Sequence, residues 1–528
     1  MRRRSWGLIC LASAVHLALA DSAAVFNWPD PLLDSLDDTL YRQAFALVSL
    51  LATDCAPRDD TTVAAQWLRL AYHDTATHNS TTGTGGLDAS IAFEFTRSQD
   101  VGLGMLESLQ DFLGPQNEYV GMADIIAIGA VNAVAGCGGP VIPFRGGRID
   151  ATEAGPATVP EPQQDLDSHI ASFKAQGFNE TEMIALVACG HSLGGVRQVD
   201  FPLIVTEDVP NGIQTFASTV GFDNTIVHEY LNGTTENVLV VGSNITTRSD
   251  LRIFSSDGNA TMQSENLHSL ASPDTFNQVC ADLIERMINT VPSTVTLTDP
   301  IEPFDFKVWN TILFPRSGSL AFLATLRIIH SDLNRTVTMF WKERTGTFCP
   351  EAGCSAPAFQ VTSAGASSLA NLKGVESFDL HSFNASIDLA TSISHFWFEV
   401  DDNDGSAPFI VDNHGANFTI EQDVLLFDPQ RSGLNLTTFE FTMVVGVKDA
   451  PTSTSVTGSS TIIDDNAVIP LPSTLNFTFT LDESHPPADG YTFYTSPISR
   501  LAFHSMICAT VNGTAYSLWV PFTSATGL

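Results

Sequence analysis

The sequence predicts a protein in two parts, with a mainly α-helical first half and a β-rich, sandwich-like second half. From about residue 35 to residue 292, apolar residues recur at helical spacing between turns rich in glycine and proline. After residue 292, short runs rich in β-branched and aromatic residues alternate with turn residues. A chain of 528 residues is long enough for more than one domain. We therefore expect a helical domain over residues 21–297 and one or more β-rich domains over residues 298–528.

Individual windows give the expected elements. Helical spacing predicts helices at residues 36–51, 61–76, 103–113, 122–135, 165–176, 180–187 and 276–290. The strand pattern predicts strands at residues 320–329, 336–342, 395–400, 409–412, 425–426, 439–447 and 476–481. The Ser/Thr-rich stretch 450–460 is interpreted as a linker.

Residues 1–20 have the features of a secretory signal peptide. Three arginines at positions 2–4 precede an apolar run, which ends in small residues before Asp21. Eleven Asn-x-Ser/Thr sites fit glycosylation along a secretory route. No later stretch is apolar enough to span a bilayer. We expect a secreted, extracellular protein with no membrane partner.

The charge of the chain excludes one class of partner. The formal net charge is −35 at pH 7 and the pI is near 4.4. A chain this acidic is repelled by nucleic acid and by anionic membrane surfaces. Its acidity suits solubility in an acidic medium.

Seven cysteines remain once Cys10 leaves with the signal peptide. An odd number in an oxidising compartment implies one free thiol or an intermolecular bond. Cys349 and Cys354 could close a short local loop. Cys189, which follows an apolar run, is our candidate for the buried unpaired thiol. No spacing of cysteine and histidine indicates zinc.

The chemistry of the first half begins at Arg69 and His73. Their spacing places both side chains on one face of a helix, one turn apart. A guanidinium beside an imidazole can bind a peroxide, move its proton and stabilise charge on the departing oxygen. Such a pair is far more often a solvated face or a buried hydrogen-bonded pair. The motifs that follow along the chain favour the catalytic interpretation.

A loop just after His73 offers oxygen atoms to a hard cation. The carboxylates of Asp74 and Asp88, the hydroxyl of Ser90 and the carbonyl of Gly86 would form an all-oxygen shell suited to Ca²⁺. Standing alone, the stretch would be an ordinary Gly/Asp turn.

A second histidine ends an apolar helix. Residues 180–190 read as a helix that delivers His191 inward, which is how proteins offer a neutral axial ligand to haem iron. A lone buried histidine is usually structural. Two histidines on separate helices, one of them with an arginine a turn away, are harder to explain in that way.

Six motifs in order give the chain a family resemblance. They are Arg-x-x-x-His-Asp, Gly-x-Asp-x-Ser, Gly-Arg-x-Asp-Ala, a helix ending Gly-His-Ser, Phe-Asp-Asn and Ser-Asp-x-x-x-Phe. Over roughly residues 44–291 the sequence resembles the plant, fungal and bacterial haem peroxidase superfamily. Within that superfamily it is most similar to the extracellular fungal secretory (class II-like) peroxidases. The resemblance implies a mainly α haem-peroxidase fold, haem b and calcium as cofactors, and hydrogen peroxide as substrate. It says nothing of residues 300–528.

The resemblance also implies a role for each matching residue. His73 would be the distal acid/base and Arg69 would stabilise charge as the O–O bond breaks. His191 would be the axial ligand of the haem iron, and Asp250 would accept its other N–H, with Asp257 as a fallback. Asp74, Gly86, Asp88 and Ser90 would hold the distal calcium. Ser192 and Asp223 match a proximal calcium site, although the second carboxylate expected in residues 215–218 is missing. Cys55 and Cys137 would form a disulfide.

Several positions depart from the family pattern. The distal aromatic is Tyr72, which would add a phenol beside the iron. Asp100 stands where the family has the asparagine that orients the distal histidine. We expect this carboxylate to raise the pKa of His73 and weaken it as a base. An insertion between Asn224 and Asp250 has no counterpart in the family that we can explain.

Manganese-oxidising members of the family bind Mn²⁺ through three acidic residues, and this sequence has Thr62, Gln66 and Arg197 at those positions. Ligninolytic members have an oxidisable tryptophan where this sequence has Leu186. No tryptophan lies between Trp67 and Trp309 to serve as the proximal-pocket tryptophan of the intracellular class. These absences favour oxidation of small phenolic or similar donors at the haem edge.

Two other functions stay open from the sequence. One is a catalytically impaired peroxidase-like haem protein, for which Asp100 and Tyr72 are the warning signs. The other is a cell-wall or carbohydrate-binding protein, with polysaccharide contact through the C-terminal region. The aromatic residues of the second half favour core packing over sugar binding. They are Trp341, Phe396, Trp397, Phe398 and Trp519.

Overall fold

The computed structural model describes most of the chain. The described residues are 23–43, 50–263, 269–345, 353–435, 437–438, 440–463, 472–498 and 504–521. The expected signal peptide and Cys349 lie outside them.

The first half is helical, as predicted. The second helix begins after Thr62, whose hydroxyl accepts a hydrogen bond from the Ala65 amide. The sixth helix starts with a capping box between Asn179 and Glu182, which satisfies exposed amides at both positions. The α-helices in the described residues are α1 (Pro31–Tyr41), α2 (Val63–Thr75), α3 (Leu103–Asp111), α4 (Met122–Gly136), α5 (Leu166–Gln176), α6 (Glu180–Gly190), α7 (Thr225–Asn232), α8 (Val238–Val241), α9 (Ser249–Phe254), α10 (Ala260–Gln263), α11 (Pro273–Ile288) and, beyond residue 300, α12 (Ser368–Leu372).

Six of the seven predicted helices are found within a few residues of the expected bounds. The first one differs. It begins at Pro31, because the Asp30 side chain caps the Leu33 amide, and it ends at Tyr41. Residues 44–49 of the predicted helix lie outside the described part of the chain. Short 3₁₀ helices lie at Thr53–Cys55, Ser90–Phe93, Pro210–Gly212 and Ile245–Thr247, and short strand pairs join Pro57–Arg58 with Thr61–Thr62 and Gly195–Arg197 with Ile213–Thr215.

Helix α4 is the centre of the helical half. All of its residues from Met122 to Ala135 are buried, so its sequence is apolar all round rather than on one stripe. Helices α2 and α12 pack against it. Helix α2 thereby has a rigid support for the functional side chains on its other face.

Two disulfides join helices in this half. The predicted bond between Cys55 and Cys137 is confirmed. The prediction that Cys189 is unpaired is wrong, because Cys189 on α6 bonds to Cys280 on α11. Both sulfurs are buried at the contact of those two helices, a pairing that local sequence does not reveal. The free cysteine among the described residues is the exposed Cys508, and Cys354 is disulfide-bonded.

The second half consists of antiparallel sheets that enclose two apolar cores. One sheet has the order Phe306–Arg316, Ser319–Ile329, Ser377–Ile387, Gln360–Gly365. The facing sheet has the order Phe409–Val411, Ile393–Asp401, Thr336–Glu343, Ser355–Pro357, with Phe418–Thr419 on Ile393–Asp401.

The last sheets form the second core. Leu425–Phe427, Glu440–Lys448, Tyr491–Ile498 and Thr480–Leu481 make one sheet, with Gly433–Asn435 paired to its second strand. Pro472–Thr478, Ser455–Ile463, His504–Val511 and Thr514–Pro521 make the other. The interpretation of 450–460 as a linker is therefore wrong from Ser455 onward, since that stretch is a central strand.

The aromatic residues of the second half divide between core and surface. Phe396 and Phe398 are buried between the sheets, as predicted. Trp397 points to the other face of its strand and stacks on Phe340. Trp519 is half-buried and contacts Tyr119 of the helical half.

The two halves share one apolar core. Leu369, Ala370 and Phe378 of the second half belong to the same buried cluster as the helical core. A buried ionic network lies beside it. Lys307 and Arg327 are both fully buried, and both pair with Asp37 of α1. The Lys307 ammonium nitrogen lies 3.1 Å from the Asp37 carboxylate, and a guanidinium nitrogen of Arg327 lies 2.6 Å from it. The last helix of the first half ends at Ile288 and the first long strand starts at Phe306, on either side of the predicted boundary.

None of the helices in the described part of the chain combines the length and apolar character needed to span a bilayer.

Candidate functional site

Helix α2 places Arg69 and His73 together on its buried face. The imidazole Nδ1–H of His73 donates to Oδ1 of Asp100 across 2.7 Å, and both side chains are buried. Asp100 comes from the loop before α3, so this contact joins two segments of the chain. Among the described residues, the hydrogen bonds of the His73 ring involve Nδ1 and not the other ring nitrogen, Nε2. The arrangement fixes the tautomer and leaves Nε2 available as a base.

The pKa of His73 falls to about 4, which corrects the direction we expected. Burial lowers it most, because a charged imidazole loses its hydration. The hydrogen bond that His73 donates to Asp100 raises the pKa, as predicted, and the nearby charge of Arg69 lowers it further. Burial wins, so the imidazole is neutral at neutral pH and can accept a proton. The warning that Asp100 weakens His73 as a base is therefore not supported.

Arg69 is held in a fixed position one turn before His73. Its Nη2 donates to the carbonyl of Val101 at 2.9 Å, and its guanidinium carbon lies 5.3 Å from the ring centre of Phe201. Burial lowers its pKa to about 10, and the charges of Asp200 and Asp100 oppose that shift. The group is still cationic at neutral pH. It can stabilise negative charge next to His73.

Gly102 is required by this arrangement. Its φ is +112°, and a Cβ there would lie 3.2 Å from Oδ2 of Asp200 and 3.3 Å from Nη1 of Arg69. Asp200, which the sequence did not single out, therefore lies near the guanidinium of Arg69, and its charge acts on that group. Asp200 also pairs with Arg197 at 3.5 Å.

The Tyr72 ring contacts both His73 and an aromatic residue of α5. Its ring stacks on Phe173 of α5 at 5.9 Å and meets the His73 ring edge-on at 6.3 Å. Burial raises the pKa of its phenol, which therefore stays protonated. Its role as an oxidisable group beside iron stays a prediction.

The second histidine, His191, lies at the C-terminal end of α6. Its backbone N–H donates to the Val187 carbonyl, which completes the last turn of the helix. Its Nδ1–H donates to Oδ2 of Asp250 at 2.9 Å, and its ring stacks on Phe216 at 4.2 Å. The side chain is 32% exposed, and Nε2 has no partner among the described residues. The carboxylate that contacts His191 is thus the one in the Ser-Asp-x-x-x-Phe motif, while Asp257 accepts hydrogen bonds from Thr261 instead.

The insertion that the sequence left unexplained reaches this site. It contains α7 and α8, and Asn237 before α8 donates from Nδ2 to Oδ2 of Asp250 at 2.8 Å. Asn237 is fully buried. Its only sequence signal was a capping asparagine before a short apolar run.

The predicted calcium ligands come together around the loop after α2. The Asp74 carboxylate accepts from the amides of Ala89 and Ile91 at 2.7 and 2.9 Å, and Ser90 Oγ lies 3.4 Å from it. Burial, and then the charge of Asp88, raise the pKa of Asp74. A cation between these two carboxylates would remove that repulsion, and the Gly86 carbonyl belongs to the same loop. The donor set therefore fits Ca²⁺. The described residues contain no group of three or more His, Cys, Asp or Glu side chains suited to a metal.

The residues predicted for a proximal calcium share no hydrogen bond within the described structure. Ser192 donates to the carbonyl of Cys189, and Asp223 accepts from Thr219 and from the Thr225 amide. Each is thus engaged in its own turn.

Comparison with known proteins matches the N-terminal half to one family. Residues 49–265 match the family model described as peroxidase, and this range includes both histidines with their aspartates. The N-terminal half is a haem peroxidase domain.

For one relative, the matched region extends beyond the peroxidase domain of this chain. A WSC domain-containing protein of Arthroderma benhamiae is 34% identical over 410 residues, which is 73% of this chain and 54% of that protein. The peroxisomal L-ascorbate peroxidase 5 of Arabidopsis thaliana is 31% identical over 202 residues, 38% of this chain and 65% of the relative. A mitochondrial cytochrome c peroxidase of Cryptococcus neoformans var. neoformans is 34% identical over 142 residues, 26% and 37% of the two chains. The matched segments thus span between about a third and two thirds of these relatives.

The residues of the peroxidase domain fit the haem that the family implies. A free Nε2 on His191, with Nδ1 held by a buried carboxylate, is the donor arrangement that an axial ligand needs. Phe216 supplies an apolar wall against the same imidazole. The ring stacked on this imidazole is thus that of a phenylalanine and not of a tryptophan.

Proposed function

We propose that this protein is a secreted haem peroxidase that reduces hydrogen peroxide and oxidises small phenolic or similar donors at the haem edge. Its family membership supports the peroxidase reaction, and its residue geometry supports the division of roles. The donor class and the secretion rest on the sequence patterns described above.

One observation carries the proposal. Two histidines on different helices each donate Nδ1–H to a buried aspartate, His73 to Asp100 and His191 to Asp250. Each is left with a free Nε2. A structural histidine normally uses both nitrogens or faces solvent, so two such imidazoles with free nitrogens indicate one ligand and one base.

The chain's own residues divide the work. His73 Nε2 takes a proton from hydrogen peroxide and returns it to the departing oxygen, which leaves as water. Arg69 stabilises the negative charge that develops on that oxygen. His191 would hold the haem, and Asp250 would make its imidazole more electron-donating. The bound haem would supply the redox chemistry by which the peroxide is reduced at the expense of the donor.

Calcium at Asp74, Gly86, Asp88 and Ser90 would hold the end of α2 rigid. That loop follows His73 directly, so an ion there fixes the base with respect to its partners. We do not include the proximal calcium in the proposal, since Ser192 and Asp223 are engaged separately.

An absorption spectrum of full-length protein prepared with haem tests the proposal. We expect a Soret band that changes on addition of one equivalent of hydrogen peroxide and returns when a phenol is added. His191→Ala should abolish the band, whereas His330→Ala, which removes the exposed histidine paired with Asp379 in the β-rich half, should leave it unchanged. A wild-type protein that binds haem but shows no change with peroxide would favour the impaired peroxidase-like protein.

A further inference from the structure

The Asp250 carboxylate has two hydrogen-bond donors on the same oxygen. His191 Nδ1 lies 2.9 Å from Oδ2, and Asn237 Nδ2 lies 2.8 Å from it. Ser249 Oγ lies 3.3 Å from the other oxygen, Oδ1. Asp250 and Asn237 are both fully buried, at 1% and 0% exposure. In so dry a place, each hydrogen bond to the charge has a large effect on it.

The orientation of the Asn237 amide is fixed by its other contacts. Its Oδ1 accepts from the Leu239 backbone N–H at 2.9 Å, as the cap of α8. Because a backbone N–H can only donate, the atom facing it must be the oxygen. The atom facing Asp250 is therefore the NH₂ group. The Asn237 backbone N–H donates in turn to Thr235 Oγ1 at 3.1 Å, which holds the residue in place.

We infer that Asn237 is a positioning residue that limits how strongly Asp250 draws the proton of His191. An amide donor withdraws negative charge from the oxygen that the imidazole N–H also uses. His191 then keeps more neutral imidazole character and donates less to iron. The inference rests on the proposed function, because it concerns His191 as the haem ligand.

This contact suggests a role for the insertion between Asn224 and Asp250, which is to place the Asn237 amide beside Asp250. Helix α8 packs against α9, which carries Asp250. Val238, Leu239 and Val240 are buried and anchor α8 in the core of the peroxidase domain. The insertion thus delivers one amide to the proximal side of the site, where a tryptophan is absent and Phe216 supplies no hydrogen-bond donor to Asp250.

Replacement of Asn237 by a residue that keeps the cap but loses the donor tests the inference. In Asn237→Ser the hydroxyl can still cap α8, but it lacks the amide that reaches Asp250. We expect the iron–histidine stretching frequency of the reduced haem protein, measured by resonance Raman, to rise. We also expect the midpoint potential of the Fe(III)/Fe(II) couple to become more negative. Asn244→Ser is the matched control, since Asn244 also caps a short helix but contacts Leu203 instead of Asp250.

Asn237→Thr guards against loss of packing in the serine variant. It keeps a capping hydroxyl and fills more of the volume than serine, but it also lacks the amide that reaches Asp250, so both observables should move in the same direction. If both variants bind haem and both observables match those of wild type and Asn244→Ser, the inference is overturned. Absence of a Soret band in wild-type protein would overturn the proposed function, and the inference with it. A Soret band that responds normally to peroxide, combined with unshifted variants, overturns the inference alone.

Discussion

Nδ1 of His73 lies 2.7 Å from Oδ1 of Asp100, and this contact is the distal counterpart of the one between His191 and Asp250. Asp100 supplies a charge where an amide would supply only a dipole, yet the imidazole stays neutral at neutral pH because burial dominates. The distal histidine of the proposed enzyme is therefore a usable base that a carboxylate holds in one tautomer.

The first prediction concerns His73 and Arg69. His73→Leu and Arg69→Leu should each retain haem, because both residues lie on α2 and not on the helix that ends at His191. The His73 substitution should slow the reaction with hydrogen peroxide by on the order of 10²–10⁴-fold, the usual contribution of a general acid–base group. Rapid-mixing absorbance measures this rate. His330→Leu, at the exposed histidine–aspartate pair with Asp379, is the control and should react at the wild-type rate.

The second prediction is the pH dependence of the same step. The pKa of His73 is about 4, below its ordinary value of 6.5, so the base is lost only as pH falls through about 4. Asp100 raises this pKa, hence Asp100→Asn should move the inflection of the rate to lower pH. An inflection near pH 6.5 in wild-type protein would contradict this prediction.

The depressed pKa of His73 also has a consequence for stability. Between about pH 4 and pH 6.5 the unfolded chain binds a proton that the folded chain refuses. This contribution to the free energy of unfolding is therefore fully present above about pH 6.5 and is lost as pH falls toward 4.

The third prediction is that calcium holds the loop after α2. Purified protein should contain calcium, and chelation should lower the melting temperature. A ligand present at 100 times its Kd adds about 2.7 kcal/mol to the free energy of unfolding. Asp74→Asn should remove the effect of chelation. Asp150→Asn removes a half-buried carboxylate, which caps α4, and should lower stability while leaving the chelation effect intact. Protein free of calcium by metal analysis would refute the site.

The fourth prediction concerns the ionic network between the two halves. Lys307 contacts Asp34, Asp37 and Asp38 of α1 at 2.8–3.1 Å, and burial raises the pKa of Asp34 to about 6 against the attraction of Lys307. Lys307→Met should lower the free energy of unfolding by about 3–5 kcal/mol, because buried carboxylates would be left unpaired. Urea unfolding measures this change.

The matched control is Lys373→Met. Lys373 pairs with Glu302 at 2.6 Å, but Glu302 is about half exposed. Such a pair contributes about 0–1 kcal/mol. Equal losses in the two variants would show that the buried network has no special role in holding the halves together.

The helices could be predicted because each has its own local signals. Apolar spacing, caps such as Thr62 and Asn179, and the residues around His73 and His191 all lie within one segment of sequence. The motifs also paired His191 with Asp250, a contact that the structure contains. The contacts that were missed join distant segments. Asn237, Phe216 and Asp200 each reach the site through the fold and have no pattern of their own.

The strands of the second half were harder to predict for a physical reason. Strand Ser377–Ile387 buries Phe378 toward the helical core but Phe383 and Ile387 toward the sandwich. The buried face thus changes along one strand, which breaks the period-2 alternation that identifies strands. On the neighbouring strands, Lys307 and Arg327 are charged residues at buried positions, paired with α1. The local pattern of apolar and charged residues predicts that Lys307 and Arg327 lie on the surface.

The last prediction is the choice of electron donor. At the positions that bind Mn²⁺ in manganese-oxidising peroxidases, Thr62 caps α2 and Gln66 is engaged by Arg58 and Asp59. Arg197, the third, is paired with Asp200. No carboxylate is available from these three residues, and the Arg197 charge repels a cation. Guaiacol-type phenols should therefore turn over at acid pH, whereas Mn²⁺ and veratryl alcohol should not. Arg197→Asp is the informative variant, since it restores one carboxylate at this edge and should raise Mn²⁺ oxidation from its baseline. Saturable oxidation of micromolar Mn²⁺ by the wild-type protein would show that an acidic site elsewhere in the chain serves the reaction.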